Sequence, residues 1–213
     1  QLAAEMLEAP TVQIGFEDGR FPLLGTNRSV GLAEVARLAA GRFPEGLSGS
    51  AEWQPPSVTY PNGCHLCEVE VDPKTGAVEI QRYSIVEDVG TVLNPVLVHG
   101  QMHGGVAQGA AQALGERMVH DRDSGQVLSG TLMDYMLPRA DDIPSIAIET
   151  REVATRVNPL GAKGVGEAGT VGSLVATINA VCDALSVLGV AHIEMPATPA
   201  RVWTAIQQAK GQG

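Results

Sequence analysis

The chain has 213 residues, of which 44% are hydrophobic, so it is long enough to bury a core in one or two domains. Its formal net charge of -10 at pH 7 argues against nucleic acid and anionic membrane surfaces as partners. Three cysteines are too few for a disulfide framework and favour a reducing compartment, so we expect a cytoplasmic protein. No apolar run approaches the roughly 18 to 20 residues of a membrane span.

Residues 1–54 are predicted to form a small α+β segment. The opening QLAAEMLEA is typical of the middle of a helix, so we expect the chain to be a piece of something longer. Ser29 is predicted to cap a helix over VGLAEVARLAA, which Gly41 ends in a left-handed conformation. Pro55-Pro56 breaks the pattern and is predicted to link this segment to residues 55–213.

Residues 55–213 are predicted to mix strands and helices, which gives an α+β fold class for the whole chain. CHLCEVEVD and AVEIQRYSIVEDVG alternate with period two around a DPKTG turn, which predicts a β-hairpin. A helix is predicted from Asn94-Pro95 onward, because proline suits the first helical turn.

Three further elements are predicted towards the end of the chain. ETREVA near Glu149 indicates a strand, and a last helix is expected after Thr198-Pro199. Between them, apolar residues recur at spacings of three and four, which predicts an amphipathic helix buried along that stripe. The stripe consists of Val171, Leu174, Val175, Ile178, Val181, Cys182 and Leu185.

Two motifs suggest chemistry that their context does not support. Cys64 and Cys67 form a CxxC pair, but residues three apart on a strand point to opposite faces and cannot share one ion. Gly164–Gly169 satisfies GxGxxG and precedes a helix, yet a dinucleotide site needs an apolar strand before its first glycine, and RVNPLGAK stands there. The five scattered histidines are predicted to be core or surface residues rather than ligands.

The glycine loop Gly161–Thr170 holds one acidic residue, Glu167, directly before a predicted helix. Unpaired N–H groups at a helix N-terminus favour an anion, so an ionised Glu167 can act as a general base on a ligand. The alternative is that Glu167 only complements the helix dipole. Lys163 is predicted to bind an anionic ligand group or restrain this carboxylate, or to be merely solvated.

A second glycine cluster, GQMHGGVAQGAAQALG at Gly100–Gly115, lies on the helix predicted after Pro95. Glycine lowers helix stability by up to about 1 kcal/mol relative to alanine, so this many need an offsetting gain. Close packing of another helix and close approach of a flat ligand are both possible gains. Gln101, which can donate and accept hydrogen bonds, stands at the helix entrance.

These motifs resemble the molybdenum-binding subunits of the xanthine dehydrogenase, aldehyde oxidase and carbon monoxide dehydrogenase family. The resemblance runs from about Val58 to the end of the chain, in the family's order and spacing, and DGRFPLLGTNRSVGLAEVA also looks like the corresponding region. The motifs that carry it are EDVGTVLNPVLVHGQMHGGVAQGAAQAL, GTLMDYMLPRADDIP, NPLGAKGVGEAGTVGSLVATINAVCDAL and MPATPARVW.

The resemblance implies a molybdenum ion held by the dithiolene of a pterin cofactor, in its cytosine dinucleotide form, without side-chain ligands to the metal. It implies that Glu167 takes the proton from a metal-bound hydroxyl whose oxygen attacks an aldehyde or N-heterocycle. Coordination lowers the pKa of such an oxygen, so one carboxylate can suffice as base. The implied cofactor-binding residues are Gln101, Lys163, Gly164, Val165 and Gly166, with Asn94 and Gly90 in the preceding loop.

The family's subunit is several hundred residues longer, and its earlier part supplies further cofactor loops and the aromatic residues of the substrate pocket. We therefore expect this chain to be a C-terminal fragment or one subunit of a split enzyme, inactive in isolation. The implied partners are the rest of the molybdenum subunit or a sister subunit, iron-sulfur and FAD subunits or domains, and a small-molecule substrate. A non-catalytic scaffold relative and a dinucleotide-binding protein are the alternatives.

Overall fold

The computed structural model describes residues 1–211 and contains two compact units, of which the first is Gln1–Gln54 and the second begins at Pro55. The first unit packs two helices around a two-stranded antiparallel sheet. Its core joins apolar side chains from both helices and both strands. Its elements are α1 (Leu2–Leu7), β1 (Arg20–Pro22), β2 (Ser29–Gly31) and α2 (Leu32–Arg42).

The second unit packs two long helices against one three-stranded sheet. Strand order is β3-β4-β5, with β3 antiparallel and β5 parallel to β4. This mixture of helices and short sheets confirms the predicted α+β class. The elements are β3 (Asn62–Val71), β4 (Val78–Asp88), α3 (Pro95–Leu114), β5 (Ile146–Thr150), α4 (Ala168–Ser186) and α5 (Pro199–Gly211).

The hairpin β3–β4 forms as its sequence predicts, because the turn residues satisfy one another. The carboxylate of Asp72 accepts hydrogen bonds from the Lys74 amide at 2.9 Å and from the Thr75 hydroxyl at 2.7 Å. Gly76 then takes a φ of 75°, the left-handed region that glycine tolerates best. The strand predicted near Glu149 also exists, but it starts earlier, at Ile146, and ends at Thr150.

The predicted start and end of α2 are wrong. Ser29 lies in β2, where its hydroxyl accepts a hydrogen bond from the Arg20 guanidinium at 2.8 Å. The helix begins at Leu32, and the amide of Gly31 donates to the Glu34 carboxylate at 2.7 Å. This cap uses a side chain inside the first turn, so no hydroxyl is needed before it. Gly41 lies within the helix, which ends at Arg42.

Helices α3 and α4 approach each other closely through glycines, which confirms helix packing as one gain from the cluster at Gly100–Gly115. A Cβ atom added to Gly105 would lie 2.7 Å from the α-carbon of Gly169 on α4. The Ser173 hydroxyl donates to the Gly105 carbonyl at 3.2 Å across the same contact. Gly104 faces the other way, and an added Cβ there meets no atom within 4 Å.

The predicted helix at α4 is confirmed, but two of the seven residues in its predicted apolar stripe are exposed. Val171 and Val175 are exposed, with 67% and 51% of their surface accessible. The close approach of α3 admits only small residues, so the stripe against it is built from glycine and hydroxyl side chains before it becomes apolar. The buried residues of α4 are Gly169, Ser173, Thr177, Val181 and Leu185.

Helix α4 is also long and apolar enough to pass as a membrane span, with a mean hydropathy of 1.4. This is weak support for a membrane location, since core helices of globular proteins share those properties. In the described residues, α4 packs against α3 and β3 and buries the hydroxyls of Ser173 and Thr177.

Candidate functional site

Backbone pairing holds the glycine loop against the end of β4. The Gly161 carbonyl accepts from the Thr91 amide at 2.9 Å, and the Lys163 amide donates to the Val89 carbonyl at 2.8 Å. The Asn158 side chain supports the same strand-like segment, since its amide donates to the Ala162 carbonyl at 2.8 Å. These hydrogen bonds therefore fix the backbone of the loop just before Gly164.

Gly90 has a structural role in this pairing. Its φ is 66°, and a Cβ there would overlap the Gly161 carbonyl oxygen and lie 3.0 Å from the Lys163 nitrogen. Only glycine allows the two segments to approach this closely. Gly90 lines neither of the two cavities that flank the loop.

Lys163 forms an ion pair with Asp88, with 2.5 Å between Nζ and Oδ2, and both side chains are mostly buried. Burial opposes ionisation of Asp88, but hydrogen bonds from Lys163 and from the amides of Gly90 and Val153 outweigh it and lower the pKa of that carboxyl. The lysine charge is thus compensated within the fold. The expectations that Lys163 restrains Glu167 or is solvated are wrong, and its binding to an anionic ligand group stays a prediction.

Two cavities lie on either side of the loop. The smaller, which we call the helix cavity, has a volume of about 190 Å³ and is bordered by the start of α3. The larger, which we call the glutamate cleft, has a volume of about 660 Å³ and is bordered by the start of α4. The helix cavity brings together Asn94, Gln101, Lys163 and Val165, and the glutamate cleft brings together Gly164, Gly166 and Glu167.

Two amide side chains of α3 face the helix cavity. Asn94 caps the helix, with its Oδ1 accepting from the Leu97 amide at 3.2 Å. In residues 1–211 its Nδ2 group donates to no acceptor, and neither does the exposed side-chain amide of Gln101. Both groups are therefore available to a ligand.

Glu167 stands at the N-terminus of α4 with its side chain exposed, and it forms no capping hydrogen bond to the helix. The backbone amides of Gly164, Gly166 and Glu167 donate to no acceptor in the described part of the chain. A Cβ added to Gly164 or Gly166 would meet no atom within 4 Å. The loop thus presents free donors and a carboxylate to open space.

Comparisons with known proteins identify the family. The molybdopterin cofactor-binding domain family matches residues 1–144. The chain is 37% identical over 213 residues to the carbon monoxide dehydrogenase large chain of Hydrogenophaga pseudoflava, covering 98% of this chain and 26% of that protein. The chain belongs to the molybdopterin cofactor-binding domain family.

Solved structures agree with this assignment. Reconstituted carbon monoxide dehydrogenase from Oligotropha carboxidovorans superposes with a TM-score of 0.85 at 32% identity, covering 100% of this chain and 27% of that one. Quinoline 2-oxidoreductase from Pseudomonas putida 86 superposes with a TM-score of 0.82 at 37% identity, covering 98% of this chain and 27% of that one. The predicted membership of the molybdenum hydroxylases is confirmed. The chain spans about a quarter of the length of these relatives.

The loop residues fit the cofactor of this family. A pterin cofactor carries a phosphate and ring acceptors, which need N–H donors, and a helix N-terminus with free amides supplies them. The unoccupied Cβ positions of Gly164 and Gly166 leave room for a ligand to reach those amides. Among residues 1–211, no three His, Cys, Asp or Glu side chains converge as metal ligands.

The two rejected motifs prove to be chance matches. Cys64 is exposed on β3, whereas Cys67 points inward and is partly buried, so the pair does lie on opposite faces. In front of the GxGxxG match lies the looped segment 151–163 rather than a strand, because β5 already ends at Thr150. The dinucleotide-binding alternative is therefore wrong.

Two polar residues that were not predicted as site residues, Glu87 and His65, also line the glutamate cleft. Glu87 is only 4% exposed. The alternation of β4 could have revealed it, since Glu87 has the same phase as the buried Tyr83 and Ile85. A charged residue on the apolar face of a strand is unusual enough to indicate a role.

Proposed function

We propose that this chain is the part of a molybdenum hydroxylase that binds one side of the molybdopterin cofactor and supplies Glu167 as the base for water-derived hydroxylation of an aldehyde or N-heterocycle. The observation that supports it most is the Glu167 carboxylate on a loop with three free backbone amides, backed by a helix N-terminus. An exposed carboxylate without a capping bond is free to act on a ligand.

Each cofactor-binding role that we propose rests on the groups of the residue that the fold leaves without a partner. Gln101 and Asn94 present free side-chain amides to the helix cavity. Gly164 and Gly166 offer backbone amides, and Val165 contributes apolar surface to the helix cavity. Lys163 contributes chiefly by position, because Asp88 holds its ammonium group and Val89 its amide. Gly90 allows the close backbone pairing that holds the loop.

The cofactor, which we propose to be the cytosine dinucleotide form, would supply a metal able to activate water and to accept electrons from the substrate. Glu167 then holds the proton removed from the water-derived nucleophile. The backbone pairing at Gly161–Lys163 and the start of α4 at Ala168 fix the two ends of the loop that carries that carboxylate. Such pre-positioning lowers the entropy cost of the reaction.

The chain spans only about a quarter of its relatives' length, and we propose that the complete enzyme supplies further elements. We propose that the remainder of the molybdenum subunit, or a sister subunit, covers the exposed sides of both cavities. Iron-sulfur and FAD groups on partner subunits or domains would carry electrons away from the substrate. We propose a cytoplasmic location for the assembly.

A Gln101→Ala substitution in the complete enzyme tests cofactor binding. Loss of one buried hydrogen bond costs about 1 kcal/mol, and more where its partner is stranded, so molybdenum content per protein should fall. Gln112→Ala is the matched control, since Gln112 is exposed on the same helix and lines neither cavity. Unchanged metal content and unchanged turnover in Gln101→Ala would count against the assignment.

A further inference from the structure

The floor of the glutamate cleft contains two buried polar side chains from neighbouring strands. Glu87 on β4 is 4% exposed, and the His65 side chain on β3 is 6% exposed. Their nearest atoms, Glu87 Oε2 and His65 Nε2, are 3.8 Å apart, which is too far for a hydrogen bond. His65 Nδ1 is instead hydrogen-bonded to the Tyr83 hydroxyl at 2.9 Å.

The Glu87 carboxyl has no hydrogen-bond partner among the described residues. Its Oε2 atom is enclosed and unpaired. Its Oε1 atom makes no hydrogen bond either and is not enclosed, and Glu87 lines the glutamate cleft. Buried polar groups without partners are rare in folded proteins and call for an explanation.

Two glycines make room for these side chains. A Cβ on Gly63 would overlap the Glu87 carboxyl, and a Cβ on Gly172 would lie 2.5 Å from the His65 ring. Gly63 is in a strand and Gly172 in a helix, where glycine is unfavourable. The fold thus places glycine at two positions where it is unfavourable, and this makes room for the buried carboxyl and imidazole.

Charge in the cleft is distributed asymmetrically. Burial raises the pKa of Glu87, with a further contribution from the neighbouring Asp88, so the carboxyl keeps its proton to higher pH than usual. Burial lowers the pKa of His65, which favours the neutral ring. Asp88 is paired with Lys163, and Glu167 faces the same cleft from the loop before α4. No lysine or arginine lines it.

We propose that Glu87 is a hydrogen-bond donor to a substrate bound in the glutamate cleft, and that it selects substrates with a carbonyl or ring-nitrogen acceptor. The inference rests on the proposed function and adds Glu87 as a specificity-determining residue of the same cleft. A protonated carboxyl has one O–H to donate. Most of the other lining residues are apolar or glycine, and Thr59, Tyr60 and His65 add polar atoms.

Equilibrium binding to the complete enzyme tests this donor directly, with quinoline as the probe and naphthalene as its counterpart without the ring nitrogen. We expect wild-type enzyme to bind quinoline about tenfold more tightly than naphthalene, the effect of one buried hydrogen bond. Glu87→Leu should abolish this preference, and Glu87→Gln, which keeps an N–H donor, should retain it. Glu70→Gln is the control, since Glu70 is exposed on β3 outside the cleft.

The pH dependence gives a second readout that does not need the leucine variant to fold. A carboxyl with a raised pKa donates below that pKa and stops donating as pH rises through it, so wild-type affinity for quinoline should fall with rising pH. Glu87→Gln cannot lose a proton and should bind quinoline with constant affinity over that range. Parallel pH profiles in the two proteins would overturn the proposal.

The outcomes separate this inference from the proposed function when molybdenum is measured in the same samples. Enzyme without molybdenum contradicts the proposed function, whatever it binds. Molybdenum-containing enzyme that binds quinoline and naphthalene equally, or whose preference survives Glu87→Leu, contradicts the inference alone.

Discussion

Glu167→Gln is expected to reduce turnover per molybdenum by about 10²- to 10⁴-fold, or more, while leaving folding and cofactor content nearly intact. General base catalysis contributes a factor of that size, and Glu167 is the sole base that we propose. Glutamine keeps the size and hydrogen-bonding reach of the side chain but cannot accept the proton. Turnover, molybdenum content and melting temperature of the complete enzyme are the three measurements.

The same substitution separates the base from a residue that only complements the helix dipole. Loss of a dipole-complementing charge costs about 0.3–1 kcal/mol of stability and leaves the rate largely unchanged. Glu167 makes no capping hydrogen bond, so we expect its substitution to cost stability at the lower end of this range. Glu79→Gln, at an exposed position of β4, is the control for removing one negative charge. A Glu167→Gln enzyme that melts early yet turns over normally would support the scaffold alternative.

Gly105→Ala is expected to destabilise the protein by about 1–3 kcal/mol, because a side chain is forced into a tightly packed contact. The added Cβ would lie 2.7 Å from both the Gly169 α-carbon and the Thr170 nitrogen, which are backbone atoms that cannot rotate away. Helices α3 and α4 would have to separate. The free energy of unfolding, measured in urea, gives the result.

Gly104→Ala is the matched control for this substitution, because the two glycines are adjacent in the same helix. Gly104 is exposed, and its added Cβ meets no atom within 4 Å. Alanine should therefore stabilise the helix there by up to about 1 kcal/mol. Equal effects of the two substitutions would mean that α3 and α4 do not pack through Gly105.

The elements that local patterns specify were predictable from the sequence. The period-two alternation on both sides of DPKTG gave the hairpin, and Asn94-Pro95 gave the start of α3. The helix after the glycine loop was predictable from its apolar spacing, but its buried face was not. That face depends on how closely α3 approaches, which is a property of two distant segments together.

Contacts between distant residues account for the other differences. Lys163 pairs with Asp88, which is 75 positions away in the sequence. Its local neighbour Glu167 was one of the expected partners, but the pairing of Gly161–Lys163 with the end of β4 turns the lysine towards Asp88. The same pairing explains why glycine is needed at position 90. The role of Gly90 as a cofactor contact, which the resemblance implies, stays a prediction.

Metal and nucleotide analysis of the native enzyme that contains this chain tests the central claim most directly. We expect molybdenum in near-stoichiometric amount, together with a pterin that releases a cytosine nucleotide on hydrolysis. The free amides of Gly164 and Gly166 and the exposed Gln101 are the groups in this chain that would bind that cofactor. Purified enzyme with a bound nicotinamide nucleotide and no molybdenum would contradict the account.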